Sequence, residues 1–138
     1  IFTKSIFENK EIKVFNNGDL SRDFTYIDDA VAIITELISK PPVINPNFNF
    51  SNPDPSSSWA PYKIFNIGNS QPTKLMDFIH EIEKNLGIEA KKDFCEMQPG
   101  DVSCTSADTK ELEKWVSFKP NTSINKGISE FIKWYKTK

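Results

Sequence analysis

Residues 16–31, NNGDLSRDFTYIDDAV, place the signals of a turn, a strand and a helix start in immediate succession. Residues 16–19 predict a tight turn, because asparagine and glycine tolerate the positive φ that such turns need. The aromatic and β-branched run at residues 24–27 predicts a short strand. Asp28 then stands where a helix N-cap belongs. The apolar residues that follow have the spacing of an amphipathic helix ended by a proline pair, and they are Val31, Ile34, Leu37 and Ile38.

The sequence on both sides of this stretch alternates between short strands and helices. Residues 3–9 look like the end of a helix, and Ile12 and Val14 alternate with charged residues as a strand does. Further along, strands are predicted at residues 63–67 and 90–95. Helices are predicted to begin at Thr73, at the capping-box-like pair Asp108 and Glu111, and at Ser123. The sequence therefore predicts one mixed α/β domain over residues 1–138, whose short strands cannot all pair locally.

Residues 41–61 interrupt this pattern with a long segment that lacks periodicity. The segment holds six of the nine prolines, together with many Asn, Ser and Asp residues. It predicts a proline-rich loop, and loops of this length in compact domains are usually functional or disordered.

The composition excludes several classes of function. With 138 residues, 38% hydrophobic residues and a net charge of −2, the chain is ordinary for a soluble globular domain. The nearly balanced charge argues against a nucleic-acid partner, and no apolar run approaches the ~20 residues needed to span a bilayer. Cys95 and Cys104 are too few to staple a fold and are expected to be reduced. We therefore expect a cytoplasmic protein without nucleic-acid or membrane partners.

No complete catalytic apparatus is visible. The five glycines form neither GxGxxG nor a Walker loop, and no tyrosine is followed four residues later by lysine. The cysteines lack the spacing of a zinc site, and His80 is expected on a helix surface. Asp28 and Asp29 are explained as a helix N-cap and a first-turn acid. We expect no catalytic residue, cofactor ligand or metal ligand in this chain.

Arg22 is the single arginine among 17 basic residues, which raises the question of what its guanidinium does that lysine could not. A guanidinium can fork onto a phosphate through two parallel charge-assisted hydrogen bonds. The alternative is a surface ion pair with Asp19 or Asp23, and spacing alone favours neither. A second candidate feature is the rigid turn at residues 98–101 (QPGD), whose aspartate is suited to accept from ribose hydroxyls.

Four stretches together resemble a known family. Residues 16–31 resemble the Arg-Asp-Phe/Tyr-x-Tyr/His-Val-x-Asp segment of the NAD-dependent nucleotide-sugar epimerases and dehydratases, which are extended short-chain dehydrogenases. Residues 53–79, 97–108 and 118–135 are similar to segments that occur in the same order in the UDP-glucuronate 4-epimerases. Gln98 supports that branch, because galactose-branch relatives usually have arginine there.

The resemblance implies that the chain is the C-terminal substrate-binding domain of an extended Rossmann-fold enzyme. The chain begins at Ile1 rather than Met, and we expect it to be a piece of a longer protein. The resemblance implies that a missing N-terminal half binds NAD and holds the catalytic residues. In this chain the resemblance implies that Arg22 contacts the diphosphate, Phe24 lies near the uridine and Asp101 binds the ribose. It also implies that Gln98 contacts the nucleotide and that Val14 and Phe15 lie beside the uracil.

The implied activity is the interconversion of UDP-glucuronate and UDP-galacturonate through transient oxidation at C4 by NAD. The intact enzyme is expected to be a homodimer, and this chain alone is expected to be inactive. Two alternatives remain open. One is another epimerase, dehydratase or decarboxylase of the same superfamily. The other is a non-catalytic truncated module that binds nucleotide weakly or associates with a partner.

Overall fold

The computed structural model describes residues 1–138 as an α/β structure with five helices and four short strands, which confirms the predicted fold class. In chain order the elements are α1 (Phe2–Phe7), β1 (Ile12–Val14), a 3-10 turn (Phe15–Gly18), β2 (Ser21–Arg22), α2 (Ile27–Ser39), β3 (Thr73–Lys74), α3 (Leu75–Leu86), β4 (Lys92–Phe94), α4 (Lys110–Val116) and α5 (Ile124–Tyr135).

The four strands form two separate pairs, and each pair joins segments that are distant in sequence. β1 lies parallel to β4, with Val14 opposite Phe94. β2 lies antiparallel to β3, with Arg22 opposite Thr73. The prediction that the short strands cannot all pair locally is therefore confirmed.

Two apolar clusters hold the elements together. The larger one joins α1, β1, α3 and α5, and its buried members are Ile6, Ile12, Val14, Ile79, Ile82, Ala90, Ile128 and Ile132. The smaller one joins α2 to α4 through Ile33, Leu112 and Val116. The apolar residues of α3 either belong to the larger cluster or pack against it.

Two of the predicted strands are wrong. Residues 24–27 form no ladder, because β2 ends at Arg22 and Ile27 already begins α2. Residues 63–67 contain only an isolated bridge between Lys63 and Ser57. Both runs are aromatic and β-branched, but they bury their rings against helices instead of pairing with a strand: Phe24 stacks on Phe78, and Phe65 packs against Trp115. Strand propensity reflects side-chain burial, which either arrangement satisfies.

Of the four predicted helix starts, one is right and three are wrong. Ser123 caps α5 by accepting a hydrogen bond from the Lys126 N–H. The N-cap positions before the other three helices are occupied by Tyr26, Lys74 and Thr109. Asp28 lies within the first turn of α2, Thr73 lies in β3, and Asp108 precedes the cap of α4. Thr73 is part of the β2–β3 ladder, where it lies opposite Arg22, so α3 begins after it.

α2 is a helix as predicted, but most of the residues expected on its apolar face are exposed in this chain. Ile33 is fully buried and Leu37 packs beside it against α4. A stripe on the other side, which we call the α2 stripe, consists of Ile27, Val31, Ile34 and Ile38, with exposed fractions of 64, 51, 51 and 77%. The helix therefore has a second apolar face that this chain leaves uncovered.

Residues 41–61 form the long loop that their prolines predict, with neither helix nor named strand. Several large apolar side chains in it are exposed, among them Val43, Phe50 and Trp59. Among the helices, none has both the length and the apolar character of a membrane span.

Replacement of Ile79 by alanine tests the position of the larger core. Ile79 is fully buried at the centre of that core, so Ile79→Ala is expected to lower the free energy of unfolding by about 2–5 kcal/mol. The neighbouring His80→Ala, at a side chain that is 72% exposed, is the matched control and is expected to change it by less than about 0.5 kcal/mol. Urea unfolding measures both, and equal losses would contradict this core assignment.

Candidate functional site

Arg22 lies at the end of β2 with its side chain only 25% exposed. Its Nη1 donates to the carbonyl oxygens of Ser21 (2.8 Å) and Ser103 (3.4 Å), and its Nη2 donates to Asp101 Oδ1 (2.7 Å). Neither Asp19 nor Asp23 forms an ion pair with it, so that surface alternative is wrong. The two residues that the resemblance assigns to the diphosphate and the ribose are in direct contact.

The turn at residues 98–101 brings Asp101 to this position. The Asp101 N–H donates to the Gln98 carbonyl (3.1 Å), which confirms the predicted turn. Gly100 has φ +83°, a conformation that glycine adopts without strain. Asp101 Oδ1 accepts from Arg22 and from the Val102 N–H (2.8 Å). Its Oδ2 takes no hydrogen bond within the chain, and it is therefore free to accept from a hydroxyl of a ligand.

Main-chain hydrogen bonds fix the segment after this turn against β2. The Ser21 N–H donates to the Ser103 carbonyl (2.8 Å), and the Thr105 N–H donates to the Ser21 carbonyl (3.2 Å). On its other edge β2 pairs with β3. The arginine therefore projects from a strand that is held on both sides by distant parts of the chain.

Asp23 contacts the same segment two to four residues further along the chain, at Thr105 and Ala107. Its Oδ1 accepts from the Asn69 N–H (3.2 Å), and its Oδ2 accepts from the N–H groups of Ser70 and Ala107 (3.0 Å each). Its own N–H donates to Thr105 Oγ1 (3.2 Å). No sequence pattern indicates this role, because the three donors are main-chain groups of two distant loops.

Phe24 borders an open cavity on the far side of β2. One ring face stacks on Phe78, with centroids 4.2 Å apart and planes 4° apart. The cavity has a volume of about 700 Å³, and its walls include Tyr26, Phe131 and Trp134. Burial, followed by the negative charges of Asp28 and Glu130, raises the pKa of Tyr26, so its phenol stays protonated at neutral pH. An apolar or aromatic group fits this cavity better than an anion.

The other predicted site residues lie apart from this pair. Val14 is fully buried in the larger core, so its side chain is not available to a ligand. Phe15 is half-buried at the start of the 3-10 turn, and Gln98 is exposed at the start of the 98–101 turn. No hydrogen bond joins the Gln98 side chain to Arg22 or Asp101. The structure thus brings Arg22 and Asp101 together and leaves the contributions of the others as predictions.

No group of three metal-ligating side chains comes together in the structure. His80 lies on the exposed side of α3, with Nδ1 3.8 Å from Glu83 Oε2. Cys95 and Cys104 are free thiols. What the site offers chemically is a forked cation, an acceptor carboxylate and an aromatic ring, which is binding chemistry rather than bond-breaking chemistry.

Comparison with known proteins gives a family match. Residues 1–68, just under half of the chain, match the model of the NAD dependent epimerase/dehydratase family.

Two relatives and one solved structure are similar to nearly the whole chain. Protein CapI of Staphylococcus aureus is 46% identical over 97% of this chain and 40% of its own length. A probable UDP-glucuronate 4-epimerase of Rhizobium meliloti is 37% identical over 97% of this chain and 40% of its own length. The crystal structure of a UDP-glucuronic acid 4-epimerase from Bacillus cereus, in complex with UDP-glucuronic acid and NAD, aligns with this chain with a TM-score of 0.72 and 25% identity. The alignment covers 97% of this chain and 38% of that protein. The chain spans about 40% of the length of the curated relatives it matches.

Proposed function

We propose that residues 1–138 are the nucleotide-sugar-binding part of a UDP-glucuronate 4-epimerase. The observation that most supports this proposal is the 2.7 Å contact between Arg22 Nη2 and Asp101 Oδ1, because a guanidinium suits a diphosphate and the neighbouring carboxylate suits a ribose. The names of relatives from Rhizobium meliloti and Bacillus cereus support the choice of sugar.

The free donors of Arg22 suit a diphosphate. A guanidinium has five N–H donors, and three of them are already used by Ser21, Ser103 and Asp101. The remaining two are available to phosphate oxygens while the main-chain bonds hold the group in place. Asp101 partly neutralises the cation, so we propose that a diphosphate competes with this carboxylate and leaves it to accept from the ribose.

A separate grip on UDP matches what a 4-epimerase must do. The oxidised sugar has to turn within the site so that hydride can return to its other face. Binding energy is therefore best taken from the unreactive nucleotide rather than from the sugar. In this proposal Arg22, Asp101 and Phe24 hold UDP, and Gln98 contacts the nucleotide. Phe15 and the main chain at Val14 lie beside the uracil, and none of these residues reacts.

NAD does not fit the residues present here. No glycine-rich loop lies between a strand and a helix in residues 1–138, and Arg22 is the site's only guanidinium. We therefore propose that the rest of the enzyme binds NAD and supplies the catalytic groups. The exposed α2 stripe is the surface that we propose it covers, since contiguous apolar patches mark interaction sites. We also propose that the intact enzyme is a homodimer. The free thiols of Cys95 and Cys104 support a cytoplasmic location.

The arginine–aspartate contact recognises a nucleoside diphosphate whatever sugar follows. The same observation therefore also supports a second candidate, another nucleotide-sugar epimerase, dehydratase or decarboxylase. A module that binds nucleotide without turnover is a third possibility.

An activity assay separates these candidates. The whole protein, incubated with NAD and UDP-glucuronate, is expected to form UDP-galacturonate, observed by proton NMR. The 138-residue chain alone is expected to show no turnover, because it lacks a catalytic group. Conversion of UDP-glucose but not UDP-glucuronate would favour a different sugar, and turnover by the isolated chain would contradict the assignment of catalysis to the rest of the enzyme.

Arg22→Lys tests the diphosphate contact. An ammonium keeps the charge but cannot form the forked pair of hydrogen bonds. Loss of one charge-assisted bond costs about 1.5–3 kcal/mol, so calorimetry should show UDP binding roughly ten- to a hundredfold weaker in the whole protein. Arg22→Ala should lose more and Asp101→Asn less, because an amide oxygen still accepts from a hydroxyl.

Uridine, which has no phosphates, is the matched control ligand, and its affinity should change little in Arg22→Lys. NAD affinity should be unchanged in all three variants. If Arg22→Lys binds UDP as tightly as the parent, Arg22 is only the partner of Asp101 and the site assignment is wrong.

A further inference from the structure

The carboxylate of Asp23 is bound by main-chain donors alone. Three N–H groups point at its two oxygens, from Asn69, Ser70 and Ala107, at 3.0–3.2 Å. No lysine, arginine or histidine lies within ion-pair distance, although the chain contains many such pairs elsewhere. Converging main-chain N–H groups stabilise an anion as a charged group would. Asp23 thus serves as a structural anion that joins two loops to the end of β2.

The loops around Asp23 are shaped to reach it. Ser70 has φ +55°, a left-handed conformation that is uncommon for serine, and its Oγ donates to the Ala107 carbonyl (2.9 Å). Gly68 has no room for a side chain, because a Cβ there would lie 2.4 Å from Ala107 Cβ and 2.8 Å from Asp23 Oδ2. These two features, a strained serine and an obligatory glycine, both allow the loops to approach this one carboxylate.

Asp23 and Arg22 hold opposite ends of one segment. Arg22 contacts Asp101 and Ser103, and Asp23 contacts Thr105 and Ala107. Only one isolated bridge, Ser21 opposite Cys104, joins β2 to the 101–107 segment, so the side-chain bonds of Arg22 and Asp23 add to the main-chain bonds that hold it.

We propose that Asp23 is a positioning residue of the nucleotide site. It holds residues 105–107 against β2 and so keeps Asp101 opposite the Arg22 guanidinium. The role in UDP binding rests on the proposed function; the role in holding the segment does not. Asparagine cannot replace the aspartate, because one oxygen becomes an NH₂ group that faces main-chain N–H groups instead of accepting from them.

Asp23→Asn in the whole protein is the test, and Asp19→Asn is its matched control. Asp19 is exposed, lies four residues away and makes no side-chain contact, and both changes remove one negative charge. Hydrogen exchange measured by mass spectrometry should be at least tenfold faster over residues 101–107 in Asp23→Asn and unchanged in Asp19→Asn. The Kd for UDP should rise at least tenfold in Asp23→Asn only.

A double variant shows whether Asp23 acts through Arg22. If it does, adding Asp23→Asn to Arg22→Lys should raise the UDP Kd by much less than it does in the parent protein. Equal effects in both backgrounds would mean that Asp23 acts independently, which would overturn the positioning role.

Gly68→Ala keeps the proposal testable if Asp23→Asn does not fold. The added methyl should push residues 105–107 away from Asp23 and produce the same faster exchange and weaker UDP binding. Unchanged exchange over residues 101–107 in a folded Asp23→Asn or Gly68→Ala variant would overturn the proposal. Failure of the parent protein to bind UDP would instead refute the proposed function, and the exchange result would still decide the role of Asp23 in holding the segment.

Discussion

The hydrogen bonds that join Ser21 to Ser103 and Thr105 are the constraint on which the rest of the site depends. They align the 101–107 segment with β2, a strand too short to be stable on its own. Because of this alignment Arg22 meets Asp101, which is 79 residues away in sequence. The same alignment places the Ala107 N–H at the Asp23 carboxylate, and the chain then continues into α4. A local change in these main-chain bonds would therefore alter the binding groups, the aspartate anchor and the start of a helix together.

There is a physical reason why this position holds an arginine rather than a lysine. In a chain whose other basic residues are all lysine, the one guanidinium stands where a cation must donate in several directions at once. Two main-chain carbonyls orient it, and a carboxylate 33% exposed keeps it partly neutral until a ligand arrives. A lysine could supply the charge but not the orientation, because its three donors rotate freely about one bond.

The sequence predicted those features that arise from local patterns. The turn at residues 16–19, the Ser123 cap and the 98–101 turn all follow from the preferences of a few neighbouring residues. The strands at residues 24–27 and 63–67 were wrong because their aromatic residues pack on helices that no local pattern reveals. Arg22 and Asp101 were found through motifs, but their contact is a property of the fold. Asp23 was considered only as an ion-pair partner, since its three donors are main-chain groups of distant loops.

A crystal structure of the whole protein with UDP will show whether Arg22 and Asp101 together hold the nucleoside diphosphate. If they do, phosphate oxygens lie within hydrogen-bond distance of the Arg22 guanidinium, and a ribose hydroxyl donates to Asp101. UDP bound elsewhere, with Arg22 still contacting only Ser21, Ser103 and Asp101, would show that these two residues do not form the nucleotide site.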